Sequence, residues 1–211
     1  MTPAEQSQAA LEICQLAPVV PVLVIDELAH ARPLAEALVK GGLPALEVTL
    51  RTPVALDAIR AMAEVAGGIV GAGTLLTPAD VKAAKKAGAQ FGVSPGATER
   101  LVAACEDEGL PLLAGAVTAS EVMALLERGY SMLKFFPAET SGGAAAVKAL
   151  GGPMPQVSFC PTGGISLKNA RDYLIQKNVV CVGGSWVAPK EAMAKGDWAE
   201  ITRLAAEAAA L

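Results

Sequence analysis

Eight short β-type runs alternate along this chain with stretches of Ala, Leu, Glu and Lys residues at helical spacing. The runs cover 19–25, 45–50, 69–74, 90–95, 110–116, 131–137, 157–162 and 179–185, so their starts lie 26, 24, 21, 20, 21, 26 and 22 residues apart. That is the length of a compact βα unit with short loops. Runs such as VVPVLVI and LPLLAGA are apolar on both faces, as buried parallel strands under helices require. Eight such units without a break predict a closed (β/α)8 barrel of the α/β class, forming a single domain over residues 1–211. The competing arrangement is an open doubly wound sheet with the same alternation. A further helix, within residues 1–17, precedes the first strand and is expected to cover the bottom of the barrel.

Punctuation supports the scheme. Thr52-Pro53, Thr77-Pro78 and Thr118 through Glu121 read as helix starts, the last as a capping box. Gly41-Gly42, Gly67-Gly68, Gly88, Gly109 and Gly129 stand where helices should stop.

Composition narrows the partners. Seventeen basic against 21 acidic residues give a net charge of -4, which argues against nucleic acid or an anionic membrane. No apolar run approaches the ~20 residues of a membrane span, and the N-terminus lacks the basic segment of a secretory signal. Cys14, Cys105, Cys160 and Cys181 form no CxxC pair, so neither zinc spacing nor a disulfide framework is present. Reduced cysteines in a cytoplasmic protein follow. A single histidine, His30, leaves no His-rich metal site and little scope for a Ser-His-Asp triad.

Polar residues at the C-terminal ends of barrel strands carry the chemistry of such folds. In the second run, alternation puts Leu46, Val48 and Leu50 towards the helices and Glu47, Thr49 and Arg51 inward. An inward Glu and Arg are either an internal ion pair or part of a site. Lys134 sits in the sixth run, with Met132 and Phe136 on its own face. It is either a snorkelling structural lysine or a desolvated nucleophile towards carbonyls. Gly163-Gly164 follows the seventh run and Gly183-Gly184-Ser185 ends the eighth, where backbone N–H groups of many barrels bind phosphate. Gly71-Ala72-Gly73-Thr74 is not a dinucleotide fingerprint, because Leu76 stands where the third glycine belongs. His30, Trp186 and Trp198 read as packing residues, and Cys160 and Cys181 as reduced thiols on neighbouring strands.

The motifs LEVTLR (46–51), GAGT (71–74), Ser94-Pro95-Gly96, LKFFPAE (133–139), FCPTGGIS (159–166) and VGGSW (182–186) resemble the bacterial 2-keto-3-deoxy-6-phosphogluconate (KDPG) and 4-hydroxy-2-oxoglutarate aldolases. They occur in order across almost the whole chain. The resemblance implies a class I aldolase on a (β/α)8 barrel, a homotrimer with neither metal nor cofactor, acting on a phosphorylated keto acid. It implies Lys134 as the Schiff-base lysine and Glu47 as the general acid/base. Arg51 and Thr74 would bind the pyruvyl carboxylate, Pro95, Phe136 and Thr162 would line the site, and Gly163, Gly164, Gly184 and Ser185 would hold the phosphate. The residues separate the gluconate from the galactonate epimer poorly. Other readings are a metal-dependent phosphosugar epimerase, which lacks its ligands here, and a non-catalytic phosphometabolite-binding barrel. In AGAVTASE (114–121) alanines stand where the family carries prolines, before Gly115 and at Ala119, which bears on the rigidity of the loop after the fifth strand.

Overall fold

The computed structural model describes residues 1–211. Helix α1 (Pro3–Cys14) precedes β1 (Val19–Leu23), and α2 (Ala31–Lys40) leads to β2 (Ala45–Thr49). Then follow α3 (Ala55–Ala63), β3 (Ile69–Gly73), α4 (Pro78–Lys86), β4 (Phe91–Val93), α5 (Glu99–Asp107) and β5 (Leu112–Ala116). The second half runs α6 (Ala119–Arg128), β6 (Met132–Phe135), α7 (Gly143–Gly151), β7 (Ser158–Pro161), α8 (Ala170–Leu174) and β8 (Val182–Gly184). Two helices close the chain, α9 (Lys190–Lys195) and α10 (Trp198–Ala209). Every one of the eight runs read from the sequence contains one strand.

Neighbouring strands pair in parallel in the order β7-β6-β5-β4-β3-β2-β1-β8. The ends meet through bridges from Phe159 to Val179 and from Thr162 to Gly183. The sheet is therefore a nearly closed (β/α)8 barrel and not an open doubly wound sheet. Leu46, Val48, Ala72, Leu112 and Leu133 face outward into the shell of helices. Val20, Ala45, Phe91, Val93, Leu113 and Met132 fill the lower barrel. The last turns of α1 insert Ala10 and Cys14 into that same cluster. Nearer its start, Gln6 accepts from the Leu112 N–H at 3.0 Å, and its amide donates to the Cys105 carbonyl at 2.8 Å. The Ser7 hydroxyl oxygen accepts from the N–H groups of Ser131 and Met132. The bonds to Leu112, Ser131 and Met132 occupy backbone N–H groups at the strand starts, which cost free energy when left unpaired.

The capping box of α6 forms as read, on Thr118/Glu121, and Thr77 caps α4 as read, there completing a capping box with Asp80 as well. Thr52 is not a cap. Helix α3 starts at Ala55 without a side-chain cap, and the Thr52 hydroxyl instead donates to the Ile25 carbonyl at 2.6 Å, tying the loops after β1 and β2 together. The loop after β5, which lacks the prolines, is bonded to the start of α6. The Glu121 carboxylate accepts from the Val117 and Thr118 N–H groups and from the Thr118 hydroxyl. His30 packs edge-on against Trp198, in keeping with its reading as a packing residue.

Candidate active site

Strand alternation turns Glu47 of β2 and Lys134 of β6 into the barrel from opposite walls. Their side chains are only 3% and 6% exposed. The ammonium Nζ of Lys134 lies 3.2 Å from Glu47 Oε1 and 3.5 Å from Oε2. Space for this crossing exists because the wall beside it is glycine. A Cβ on Gly73 would stand 2.3 Å from Glu47 Oε1. Phe136 covers Lys134, its ring centroid 5.3 Å from Nζ, close enough for the ring quadrupole to favour a cation there.

The internal partner of Glu47 is thus Lys134 and not Arg51, as a structural reading of LEVTLR would have it. Arg51 lies two residues beyond β2, exposed at the barrel mouth, where its Nε donates to Thr74 Oγ1 at 3.3 Å. Thr74 has φ +63°, a left-handed conformation that is strained for a β-branched residue. Such strain persists only where the surroundings hold it, commonly at functional sites. Here it follows the GAG end of β3 and holds the hydroxyl against the guanidinium.

A cavity of about 200 Å³ opens above the Lys134–Glu47 pair. Arg51, Lys134, Phe136 and Thr162 form part of its wall; Gly163, Gly164, Gly183, Gly184 and Ser185 form another. It brings together the polar strand ends and the two glycine-rich loops singled out from the sequence. Thr74 reaches it through Arg51. Pro95 is not on this wall; its backbone abuts Gly115, where a Cβ would sit 2.3 Å from the Pro95 carbonyl.

Gly163 and Gly164 take φ +104° and +77°, which L side chains rarely adopt. The N–H groups of Gly163, Gly164 and Ser185 donate to no group of the protein. They are free to donate to an anion in the cavity they line. Gly184 has a different reason to be glycine. A Cβ there would fall 1.8 Å from the Trp186 ring, so its small size seats the indole.

Glu139 escaped the sequence reading as a site residue. Its N–H donates to the Gly163 carbonyl at 3.1 Å, and its side chain occupies the space beside Gly164. Burial pushes the Tyr173 phenol up, so it stays protonated and donates to the Glu139 carboxylate. The Glu139–Tyr173 pair therefore holds the first glycine loop from behind. Nothing in the spacing of the sequence announces it.

A lysine paired with a carboxylate inside a barrel mouth, facing a nest of free N–H groups, defines a barrel enzyme of carbonyl chemistry on an anionic substrate. The chain belongs to the KDPG and KHG aldolase family, whose family model matches residues 11–204. The KHG/KDPG aldolase of Escherichia coli K12 is 53% identical over 201 residues, covering 95% of this chain and 94% of that protein. A crystal structure of the 2-keto-3-deoxy-6-phosphogluconate aldolase of Zymomonas mobilis with 3-phosphoglycerate superposes with TM-score 0.93 at 49% identity, covering 97% and 96% of the two chains. The KDPG aldolase of Legionella pneumophila, with pyruvate captured as a covalent carbinolamine, superposes with TM-score 0.92 at 46% identity, covering 95% and 98%.

Proposed function

We propose that this chain cleaves 2-keto-3-deoxy-6-phosphogluconate to pyruvate and glyceraldehyde 3-phosphate as a metal-independent class I aldolase, and also accepts 4-hydroxy-2-oxoglutarate. The observation that carries this reading is the buried Lys134–Glu47 contact at the floor of a cavity roofed by free N–H groups. The carbinolamine in the Legionella relative supports the same chemistry.

Glu47 takes a proton from Lys134, and the freed amine adds to the C2 ketone to give a carbinolamine. Glu47 returns the proton as water leaves, which yields an iminium conjugated to C3. The C3–C4 bond then breaks into this electron sink while Glu47, directly or through a water, accepts the proton of the C4 hydroxyl. Protonation of the enamine at C3 and hydrolysis release pyruvate and regenerate Lys134. Arg51, held by Thr74, pairs with the substrate carboxylate. Thr162 and Phe136 flank the reacting ketone. Gly163, Gly164, Gly184 and Ser185 receive the phosphate at the far end. No step requires a metal, so a chelator leaves turnover intact.

Borohydride reduction in the presence of pyruvate is the test. Peptide mass spectrometry is expected to find the pyruvyl adduct on Lys134 and none in Lys134→Arg. An adduct on Lys82 or Lys148 with Lys134 unmodified overturns the assignment. The assembly is a homotrimer in this reading, which light scattering checks by a mass three times that of the chain. All four cysteines are free and buried, which supports a reducing, cytoplasmic setting.

A further inference from the structure

Below the Lys134–Glu47 pair lies a second cluster that the aldol chemistry does not use. Cys14 at the end of α1, Cys160 on β7 and Cys181 just before β8 bring their sulfur atoms within 4.8 Å of one another. All three are buried, at 2%, 1% and 0% exposure. Val20, Ala45, Phe91 and Met132 pack with them, and the Thr162 hydroxyl and the Lys134–Glu47 pair lie on the other side. Three thiols from three separate elements form a ready trigonal set of soft ligands.

Charge selects the ligand. Binding through three thiolates places three negative charges in an apolar interior, where an uncompensated charge is costly. The nearest cation, Lys134, stands beside Cys160 in the β6–β7 register and is already engaged by Glu47. Zn(II) would leave a net charge and a fourth position with no donor but the Thr162 hydroxyl, 3.9 Å from the Cys160 sulfur. Cu(I) would leave a larger net charge. A trivalent thiophilic centre that is satisfied by three ligands leaves none.

We propose that Cys14, Cys160 and Cys181 form a binding site for a trivalent, thiophilic trihydroxide, of which arsenous acid is the example. Three S–H bonds and three As–O bonds break, three As–S bonds form, and three waters leave. Arsenic keeps its oxidation state, and the product is neutral. Arsenous acid is itself uncharged near neutral pH, so it enters without desolvating an ion. The entry route is a local release of the end of α1, the one ligand-bearing element that is not part of the barrel wall.

The experiment is incubation of the full-length folded protein with arsenous acid in thiol-free buffer, followed by native mass spectrometry. The expected result is one arsenic per chain with the loss of three protons. Uptake falls at least about tenfold in Cys14→Ala and in Cys181→Ala, and is unchanged in Cys105→Ala. X-ray absorption on the loaded wild-type protein needs no variant to fold; it is expected to show three sulfur neighbours and no oxygen. No uptake, uptake that survives loss of Cys14 and Cys181, or an arsenic with oxygen neighbours overturns the proposal. Retention of Zn(II) in place of arsenic, with the same cysteine dependence, overturns the choice of ligand. None of these readouts depends on aldolase turnover.

Discussion

Breaking the Lys134–Glu47 pair one partner at a time separates chemistry from stability. The carboxylate and ammonium are 3.2 Å apart and nearly fully buried, so removal of either leaves the other as an uncompensated charge. That costs about 3–5 kcal/mol, against a total stability of roughly 5–15 kcal/mol for a domain. At roughly 2–4 °C per kcal/mol for a chain of this size, Glu47→Gln and Lys134→Met each melt about 6–20 °C lower. The double variant carries no buried charge and melts well above the sum of the two losses. Catalysis behaves differently. Glu47→Gln lowers kcat by about 10²–10⁴, and the double variant recovers stability without recovering turnover. Thermal melts of the four proteins and steady-state kinetics with KDPG give both readings. Additive losses below about 1 kcal/mol would show that the pair is not the buried ion pair described. A folded Glu47→Gln with near-normal kcat would refute Glu47 as acid/base.

Ser185→Ala removes a hydroxyl from the phosphate end without adding bulk, so KM for KDPG rises about ten- to a hundred-fold while KM for 4-hydroxy-2-oxoglutarate is unchanged; an equal rise for both substrates refutes the phosphate role. Gly184→Ala drives a Cβ into Trp186 and destabilises the protein by about 1–3 kcal/mol, read by denaturant unfolding; a normal melt refutes the packing role. Thr118→Ala costs about 0.5–2 kcal/mol through loss of the cap on α6, which urea titration measures. Hydrogen bonds from the Val117 and Thr118 N–H groups hold Glu121 below the usual carboxylate range, and the Arg128 guanidinium does the same for Glu106. The native state therefore binds fewer protons than the unfolded chain in acid. This stability is fully present above about pH 4.3 and is lost as pH falls through the depressed native values. Melts from pH 6 to pH 3 should steepen on that side, and Glu121→Gln should flatten the curve; an unchanged slope contradicts the assignment.

The sequence by itself determined eight consecutive βα units. A strand that is apolar on both faces, repeated every 20 to 26 residues with helices between, has few ways to bury its surface, and closure is one. Alternation put Glu47 on an inward face, because side-chain direction along a strand has period two, whereas for Lys134, in a run apolar on both faces, it gave only the face shared with Met132 and Phe136. What the period cannot give is which inward groups meet. Residues 87 positions apart touch only because β2 and β6 face each other across the interior, and so Lys134, and not the nearby Arg51, became the partner of Glu47. The same holds for Gly184, whose neighbour is an indole two residues on that folds back over it, and for Glu139 and Tyr173, which meet behind the first glycine loop. Cys14, Cys160 and Cys181 have no spacing that marks a cluster. They converge because the end of α1 carries Cys14 to Cys160 of β7 and to Cys181 just before β8, a fact of packing geometry and not of local chain propensity.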